Sequence, residues 1–590
     1  MLERLFALAE RSGQPLRIEL VDPVGTGAGV HAVDQPDYLL LNTICSQVTM
    51  FPDEHTVGDT VRLTGPTLHD WVLARDLRIA DDGYRVGPVG RRIEPWDFLP
   101  RRLLGEYLGW FAETLLDRVP SNVEVRLHRD QAVGLRAADD GPLGIELAGG
   151  TRVTVDAAFL TTGYTDNVVA EHPSGRLIAR PYPMPDRFSS VRPGETVAIG
   201  GFGLSALDAM SCLTVGRGGR FERRGGAVRY LPSGAEPRLL FYSRSGRPCR
   251  ARPRVLRYEP AYRPLAFTPQ AIDLLRAETG GPLDFDRQVW PLVLTELRIC
   301  YRRTEAARAG TAERLEHRLA AGGSGFAALL NALDALDAER GPFRPESLLD
   351  GEPMSLIDQT GYQNWLTAEL ATDLAEGELG LRGSIVKRTL DVLRELRDTF
   401  RYAVDFAGLT PESTRRFFRH TVPLLNRAVV GPQFERHEEL LSLIDAGLAQ
   451  VPFGPDPSVE WESGHWSLRS RRLGVPHADT ADWLVAGRTD LPAVASSASP
   501  LVAQLFDQGR IRAGVAAEPE LAGIDIDRDQ HPVGAGGEVD RRIWVLGPLC
   551  EGSTFYNNLV PSPGCYSRPL ADAHRCAAEL LAADRSLAIA

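Results

Sequence analysis

Residues 196–208, TVAIGGFGLSALD, join an apolar strand pattern to a glycine-rich turn and the start of a helix. Gly201 suits the tight turn after the strand, and Gly203 leaves room for a pyrophosphate to approach the backbone. A small residue at 206 lets the helix lie close to the sheet. We therefore predict a complete dinucleotide-binding unit, with Gly201, Gly203 and Ser205 at the cofactor. The alternative is a tight turn of an α/β domain that holds no ligand.

The next apolar strand, residues 239–242, runs into Ser243 and Arg244. An acid at this position binds the 2′-hydroxyl of NAD, whereas an arginine suits the 2′-phosphate of NADP. Arg244 therefore favours NADP, with a solvated loop arginine as the alternative. The arginine-rich stretch 217–224, which lies before this strand, is interpreted as a solvated loop and not as a nucleic-acid site.

The chain begins with part of a second unit of the same kind. Residues 2–11 have helical periodicity, and the apolar strand 16–21 ends at Asp22. A carboxylate in that position accepts hydrogen bonds from ribose hydroxyls. Two dinucleotide units in one chain suggest a tightly held flavin and a transient nicotinamide. Asp22 is accordingly predicted at the FAD ribose, with an ordinary strand-ending aspartate as the alternative.

The strand and G-x-G-x-x-G turn expected before that first helix are missing, because Met1 falls inside the helix. Either the start is placed too late, or the fold has lost its central strand. We favour the late start, since losing a central strand would leave hydrogen-bonding groups of both neighbours unpaired.

Three further segments are predicted beside the flavin ring. In the apolar run 38–53, polar side chains occur where the edge of a ring needs hydrogen bonds. Residues 156–164 (DAAFLTTGY) and 543–552 (IWVLGPLCEG) each lead a strand into a turn of small residues, where the backbone can approach a cofactor closely. The predicted contacts are Asn42, Thr43, Gln47, Thr162, Gly163, Gly547 and Pro548. Internally bonded structural loops are the alternative.

Composition excludes several classes of protein. The 590 residues carry a net charge of −12, which gives no overall electrostatic basis for binding nucleic acid. No apolar run reaches the roughly 20 residues that span a bilayer, and we expect a cytoplasmic protein. The seven cysteines are far apart, which argues against a zinc site and against a disulfide reductase. No metal-binding or nucleophilic constellation is evident, and the catalytic residues stay unassigned.

Helical periodicity dominates from about residue 266, and the α/β pattern returns after about 475. We predict an α/β fold with two Rossmann-like domains and a large helical insertion. The predicted segments are 1–195 (first part of the FAD domain), 196–265 (NADPH domain), 266–475 (helical insertion) and 476–590 (second part of the FAD domain). The insertion could serve as a dimer interface or as a substrate lid.

The segment 156–164 resembles the D-x-x-x-L-A-T-G-Y signature of microbial amine N-hydroxylases, with Thr161 in place of alanine. A closer similarity, to a bacterial group of FAD/NAD(P)-binding proteins with a large helical insertion, covers almost the whole chain. The stretches that carry it are QPDYLLLNTICSQVTMFPD (35–53), YLPSGAEPRLLFYSRSG (230–246), VDFAGLTPES (404–413) and LGPLCEG (546–552). Some members of that group oxidise the amino group of aspartate to nitrosuccinate.

The resemblance implies FAD, NADPH and dioxygen, with oxygen passed from a flavin hydroperoxide to a substrate amine. We therefore expect an NADPH-dependent flavin monooxygenase that acts on a small amine or amino acid, possibly aspartate, in biosynthesis. A flavin oxidase or dehydrogenase without oxygen transfer is one alternative, and a non-catalytic nucleotide-binding protein is another. Arginines would be needed for a dicarboxylate. The helix arginines Arg298, Arg302, Arg388, Arg394 and Arg401 are interpreted as solvated, and His31 as a loop histidine.

Overall fold

The computed structural model describes residues 1–24, 27–137, 141–255, 261–321, 325–351, 353–489, 491, 493–514 and 522–587. Packing divides the chain into two compact units. Unit 1 consists of Met1–Val169, Asp405–Ala407 and Asp490–Ala590, and unit 2 of Ala170–Val404 and Gly408–Thr489.

The helices are numbered along the chain. They are α1 (Leu2–Ser12), α2 (Glu54–Val57), α3 (Leu68–Ala74), α4 (Arg101–Leu116), α5 (Leu204–Leu213), α6 (Pro269–Thr279), α7 (Trp290–Arg308), α8 (Ala312–Ala321), α9 (Phe326–Arg340), α10 (Pro345–Asp350), α11 (Gln359–Glu378), α12 (Gly380–Gly383), α13 (Ile385–Glu395), α14 (Arg397–Val404), α15 (Pro411–Arg416), α16 (Val422–Val429), α17 (Phe434–Asp445), α18 (Pro500–Asp507) and α19 (Arg568–Leu587).

The strands are numbered in the same way. They are β1 (Leu16–Val21), β2 (Arg78–Ile79), β3 (Val86–Gly87), β4 (Arg91–Arg92), β5 (Val123–His128), β6 (Ala132–Ala137), β7 (Leu143–Leu147), β8 (Arg152–Val155), β9 (Ala158–Leu160), β10 (Leu177–Ile178), β11 (Thr196–Gly200), β12 (Arg220–Arg224), β13 (Ala227–Leu231), β14 (Arg238–Tyr242), β15 (Ala449–Gln450), β16 (Ser458–Glu462), β17 (His465–Arg469), β18 (Ala478–Ala481), β19 (Trp483–Ala486) and β20 (Ile543–Val545).

Unit 2 contains a parallel sheet of five strands in the order β10-β19-β11-β14-β15. The central strand β11 is buried at Val197, Ala198 and Ile199, as its continuous apolar sequence predicts. An antiparallel sheet, β16-β17-β18, and the helices α6–α17 complete the unit.

Unit 1 has smaller sheets. Two are parallel pairs, β1 with β5 and β9 with β20, and two are three-stranded antiparallel sheets. Helices α1, α3 and α4 bury one apolar face around Trp71 and Tyr107, whose rings lie 5.8 Å apart. The α/β fold class with dinucleotide-binding domains is confirmed.

Two strand predictions are corrected by the sheet pairing. Residues 481–488 fall within the segment 476–590, predicted as the second part of the FAD domain, but their strand β19 pairs with β11 and therefore belongs to the sheet of unit 2. A local pattern gives no information about which distant strand is its partner. The stretch 217–224, predicted as a loop, contains β12, which forms a hairpin with β13.

Two long helical stretches of this region are interrupted. The stretch 385–406 is two helices, separated at Leu396, whose φ of −84° and ψ of 6° leave the helical range. The stretch 411–429 contains a π-helical turn, Phe417–Thr421, between α15 and α16. Pro423 follows that turn and has no N–H to donate to the preceding turn.

Helix α11, 20 residues long, was not predicted. Its apolar residues Tyr362, Leu366, Leu370 and Leu374 repeat every four positions and are buried. The periodicity was therefore present in the sequence, but Gly361 and Gly377 near the two ends weaken the intrinsic helix propensity. Within the described residues, no helix is long and apolar enough to cross a membrane.

A buried ion pair joins two helices of unit 2 to the segment that follows β14. Lys387 Nζ on α13 lies 2.8 Å from Asp373 Oδ1 on α11 and donates to the carbonyl of Ala251 at 2.7 Å. Asp373 also accepts from the Ala251 N–H at 2.7 Å. Burial alone would raise the pKa of Asp373, but the cations of Lys387 and Arg250 outweigh it and lower that pKa.

We predict that Asp373→Leu destabilises the protein by about 3–5 kcal/mol, because it leaves the Lys387 ammonium buried without its partner. At about 2 °C per kcal/mol, differential scanning fluorimetry should record a fall in Tm of roughly 6–10 °C. The double variant Asp373→Leu/Lys387→Met removes both charges and should recover most of the loss. A double variant as unstable as the single one would contradict the ion-pair explanation.

Candidate functional site

The parallel sheet of unit 2 brings three loops to one edge. The register pairs Gly200 at the end of β11 with Tyr242 of β14 on one side and with Ala486 of β19 on the other. The chain leaves β11 through α5 towards β14, so the strand order reverses between β11 and β19. In open α/β sheets, nucleotides bind outside the carboxyl ends of the strands at such a reversal.

The predicted glycines lie at this edge. Gly201 has a φ of +107°, which favours glycine, and its N–H donates to the Tyr242 carbonyl at 2.7 Å. Gly203 precedes the first residue of α5 and offers no side-chain cap to the helix. A Cβ at Gly203 would have no atom within 4 Å, so there is open space beside the start of α5. An anion fits in that space.

Ser205 and Arg244 have different environments. The Ser205 side chain is buried, and its Oγ lies 3.3 Å from Thr489 Oγ1. Arg244 is exposed two residues beyond Tyr242 and forms no ion pair or hydrogen bond with another described residue. Ser205 therefore links the helix to the loop after β19, while Arg244 is available for the 2′-phosphate. Both assignments to the cofactor stay predictions.

In unit 1, two predicted flavin segments meet. Leu160 of β9 pairs with Val545 of β20, and the Leu546 N–H donates to the Leu160 carbonyl at 3.1 Å. Thr162–Gly163 and Gly547–Pro548 therefore leave the same edge of a parallel pair. Both glycines have positive φ, +68° and +84°, and a Cβ on either would meet no atom within 4 Å. The edge thus presents open backbone, as a ring lying against it requires.

Glu551 is the centre of the hydrogen bonds at this edge, and the sequence prediction missed it. Its buried carboxylate accepts from the N–H groups of Tyr556 and Asn557, both at 2.9 Å, and from the Asn557 amide at 3.0 Å. Burial raises the pKa of Glu551. Burial and the Glu551 carboxylate also raise the pKa of Tyr164, whose phenol hydrogen bonds with Asn558. Glu551 thereby ties the turn 547–552 to the residues that follow it.

The tripeptide Asp405–Ala407, from the stretch VDFAGLTPES, packs within unit 1 although the helices around it in sequence belong to unit 2. Asp405 Oδ1 accepts from the Phe555 N–H at 2.7 Å, and its carboxylate pairs with Arg568. The Phe406 N–H donates to the Ser553 carbonyl at 2.8 Å. Phe406 and Ala407 have φ of +52° and +56°, a backbone conformation that residues other than glycine rarely adopt. Such strain persists where surrounding contacts enforce it, often at functional sites.

The segment with Asn42, Thr43 and Gln47 lies along the C-terminal part of unit 1. Asn42 and Thr43 are half-buried, and Gln47 is exposed with its carbonyl accepting from Ser562 Oγ at 2.8 Å. The Thr49 N–H donates to the Pro561 carbonyl at 3.0 Å. The structure therefore connects this segment with the residues after Gly552, which the sequence pattern alone did not reveal.

Asp22 and His31 occupy the loop side of β1. Asp22 follows the strand as predicted, and its Oδ1 accepts from the Val24 N–H at 2.8 Å. The loop residues 25–26 lie outside the described part of the chain.

Burial, with a smaller contribution from Arg101, lowers the pKa of His31 to about 4, so the imidazole is neutral at pH 7. A Cβ on Gly105 would lie only 1.8 Å from the backbone carbonyl oxygen of His31, so the two segments can pack this closely only because residue 105 is glycine.

The helix arginines considered for a dicarboxylate each have a carboxylate partner. Arg298 and Arg302 pair with Asp337, Arg388 with Glu395, Arg394 with Asp391 and Arg401 with Asp398. These ion pairs account for their charges within unit 2.

A different set of arginines surrounds a small cavity in unit 2. Arg247 Nη1 and Arg250 Nη2 lie 3.0 and 3.8 Å from where a Cβ of Gly351 would be, and Arg427 lines the same cavity. The Arg247 guanidinium stacks over Trp365, 5.2 Å from the ring centroid. Burial and the neighbouring guanidinium groups lower the pKa of Arg427. Asp350, Glu369 and Asp373 line the cavity as well, and Arg250 pairs with Asp373 at 3.2 Å, so the cavity holds charges of both signs. The signal in the sequence was the run of arginines in 243–254.

Gly203→Ala should weaken NADP⁺ binding without destabilising the protein. The added methyl meets no protein atom but occupies the space above the first turn of α5. We expect the Kd for NADP⁺, measured by isothermal titration calorimetry, to rise by at least about tenfold, with Tm and FAD content unchanged. Gly281→Ala, at another glycine of unit 2 whose Cβ position is open and whose φ is not positive, is the matched control. An unchanged Kd for Gly203→Ala would place the phosphates elsewhere.

Comparisons with known proteins agree with this architecture. A family model described as FAD-NAD(P)-binding matches residues 1–165. A nitrosuccinic acid synthase of Aspergillus oryzae is 30% identical, over 99% of this chain and 91% of that protein. A nitrosuccinate-forming L-aspartate N-monooxygenase of Streptomyces davaonensis is 32% identical, over 99% of this chain and 95% of that protein. Another, of Streptomyces cremeus, is 32% identical over 97% of this chain and 91% of that protein.

Among solved structures, an ornithine N-hydroxylase of Kutzneria sp. 744 has a TM-score of 0.41 at 12% identity, over 97% of this chain and 99% of that one. The full-length relatives are much closer in sequence. Because their identity of 30–32% extends over nearly the whole chain, this protein belongs to the family of FAD- and NAD(P)-binding monooxygenases that includes the nitrosuccinate-forming L-aspartate N-monooxygenases.

Proposed function

We propose that this FAD-dependent, NADPH-using monooxygenase oxidises the amino group of L-aspartate, with dioxygen as co-substrate. The observation that carries the proposal is the similarity to three nitrosuccinate-forming enzymes over at least 97% of the chain. A similarity of that extent includes both units and the helical region, and is not limited to one nucleotide-binding motif.

The residues of unit 1 fit a flavin. Gly163 and Gly547 leave open backbone at one edge, and the buried Ser46 Oγ has no hydrogen-bond partner among the described residues. When bound, FAD supplies the redox chemistry, taking hydride from NADPH and activating dioxygen for transfer to nitrogen. We expect the hydrogen bonds of Glu551 to hold the turn 547–552 in place and the 41–53 segment to satisfy the edge of the ring.

The cavity bounded by Arg247, Arg250 and Arg427 suits the proposed substrate. L-Aspartate carries two carboxylates, which bind guanidinium groups through charge-assisted hydrogen bonds. Asp350 and Glu369 line the same cavity and can accept from the substrate ammonium group. A site with charges of both signs favours a zwitterionic amino acid over a simple anion. We therefore assign substrate binding to this cavity.

The test of the proposed function uses the purified chain reconstituted with FAD. Under anaerobic conditions, NADPH should bleach the flavin absorbance and NADH should do so far less. With ¹⁸O₂ and ¹⁵N-labelled L-aspartate, mass spectrometry should then detect ¹⁸O on the ¹⁵N of the product. If the protein oxygenates another amine but not aspartate, the proposed substrate is wrong and the proposed monooxygenase activity still holds.

Two results would favour the alternatives. Hydrogen peroxide formed in proportion to NADPH, with no labelled nitrogen product from any amine, would indicate a flavin oxidase. A protein that stays colourless after reconstitution with FAD would indicate a nucleotide-binding protein without this chemistry.

Arg247→Met should raise the KM for L-aspartate by about 10- to 100-fold, since one charge-assisted hydrogen bond contributes about 1.5–3 kcal/mol. The Kd for NADP⁺ should not change, and the preference for aspartate over asparagine should fall. The matched control is Arg254→Met, an arginine of the same segment that pairs with Glu378 instead of lining the cavity. An unchanged KM in Arg247→Met would exclude this cavity as the carboxylate site.

A further inference from the structure

The loop after β19 carries an arginine that the sequence analysis did not connect with the nucleotide. Ala486 pairs with Gly200, so Gly487, Arg488 and Thr489 leave the sheet directly beside the glycine turn after β11. The Arg488 side chain is exposed at this edge. All these residues belong to unit 2.

Contacts on both sides fix the position of Arg488. A Cβ on Gly487 would lie 2.4 Å from the Gly200 carbonyl oxygen and 2.7 Å from the Ala206 Cβ, so only glycine allows the loop to pack this closely on α5. On the other side, Thr489 Oγ1 lies 3.3 Å from Ser205 Oγ in the first turn of α5. The backbone of Arg488 is thereby held beside the beginning of that helix.

The glycine turn itself lacks a cation. Residues 200–208, GGFGLSALD, contain no lysine or arginine. The start of α5 offers backbone N–H groups and the positive end of the helix dipole, equivalent to about half a charge. A pyrophosphate carries two negative charges, so one half-charge leaves most of the anion uncompensated. Arg488 is placed to supply the missing positive charge.

We propose that Arg488 binds the pyrophosphate of NADPH, while Arg244 binds the 2′-phosphate. The two arginines follow β19 and β14, which flank β11 on opposite sides. A dinucleotide across this edge has its adenosine near β14 and its pyrophosphate over α5, towards β19. Burial raises the pKa of Tyr242, the last residue of β14, and the charge of Arg488 opposes that rise, so the guanidinium acts at this edge of the sheet. This proposal does not depend on the identity of the substrate.

The test measures the binding of three ligands that differ in whether they carry the pyrophosphate, the 2′-phosphate or both. NADP⁺ carries both groups, NAD⁺ carries the pyrophosphate alone, and adenosine 2′-monophosphate carries the 2′-phosphate alone. Ligand-observed NMR titration reaches millimolar Kd values and needs no turnover. The proteins are the FAD-reconstituted wild type, R488M, R488K and R244M, with Tm and FAD absorbance checked for each.

For R488M, the Kd for NADP⁺ and the Kd for NAD⁺ should rise by the same factor, about 10- to 100-fold, and the Kd for adenosine 2′-monophosphate should not change. R488K should recover part of the loss. R244M should show the opposite pattern: the Kd values for NADP⁺ and for adenosine 2′-monophosphate should rise, and the Kd for NAD⁺ should not change. Two results would overturn the proposal. If R488M raised the Kd for adenosine 2′-monophosphate and the Kd for NADP⁺ by the same factor, Arg488 would bind the 2′-phosphate instead. If R488M bound all three ligands as tightly as the wild type, Arg488 would contact neither phosphate group.

Discussion

The close contact of Gly487 with Gly200 and Ala206 is the constraint on which the dinucleotide edge of unit 2 depends. Parallel pairing aligns the carboxyl ends of β19 and β11, but the loop after β19 can pass over α5 only because residue 487 has no side chain. The same contact sets the loop after β19 against the first turn of α5, where Thr489 Oγ1 lies 3.3 Å from Ser205 Oγ. The position of that loop beside the helix therefore depends on it.

Unit 1 reaches a comparable edge by a different route. The strands β9 and β20 also pair in parallel and also end in glycines with open backbone. Here, however, the loops are fixed by hydrogen bonds and an ion pair of two buried acidic side chains. Glu551 binds the backbone that follows it, and Asp405 pairs with Arg568. A buried charge is costly unless it is well hydrogen-bonded, so these loops have little freedom to adopt another arrangement. Rigid loops suit a cofactor that stays bound.

The sequence predicts those parts of the fold that are encoded locally. The apolar strand and glycines of 196–208 are enough to place Gly201 and Gly203 at a strand end, and the periodicity of most helices is evident. It does not predict which sheet β19 joins, because its partner β11 lies nearly 300 residues earlier. For the same reason the tripeptide Asp405–Ala407 was missed as part of a site, since the contact of Asp405 with Phe555 joins residues 150 positions apart. Glu551 was missed although its partners Tyr556 and Asn557 are near in sequence, because the pattern does not show that its side chain is buried. The binding assignments of the predicted site residues stay predictions.

Arginine pairing separates structural from functional candidates in a way that residue type cannot. On the helices of unit 2, Arg298, Arg302 and Arg388 are neutralised by carboxylates, and moving any of them to a ligand would leave that carboxylate uncompensated. The arginines that follow strands are held by backbone contacts or by aromatic stacking, as Arg247 is over Trp365. Arg250 follows the same strand and pairs with Asp373 at 3.2 Å, beside Arg247 in the wall of the cavity. Loops at strand ends thus place positive charge where an anionic ligand can reach it, while the helix arginines keep their carboxylate partners.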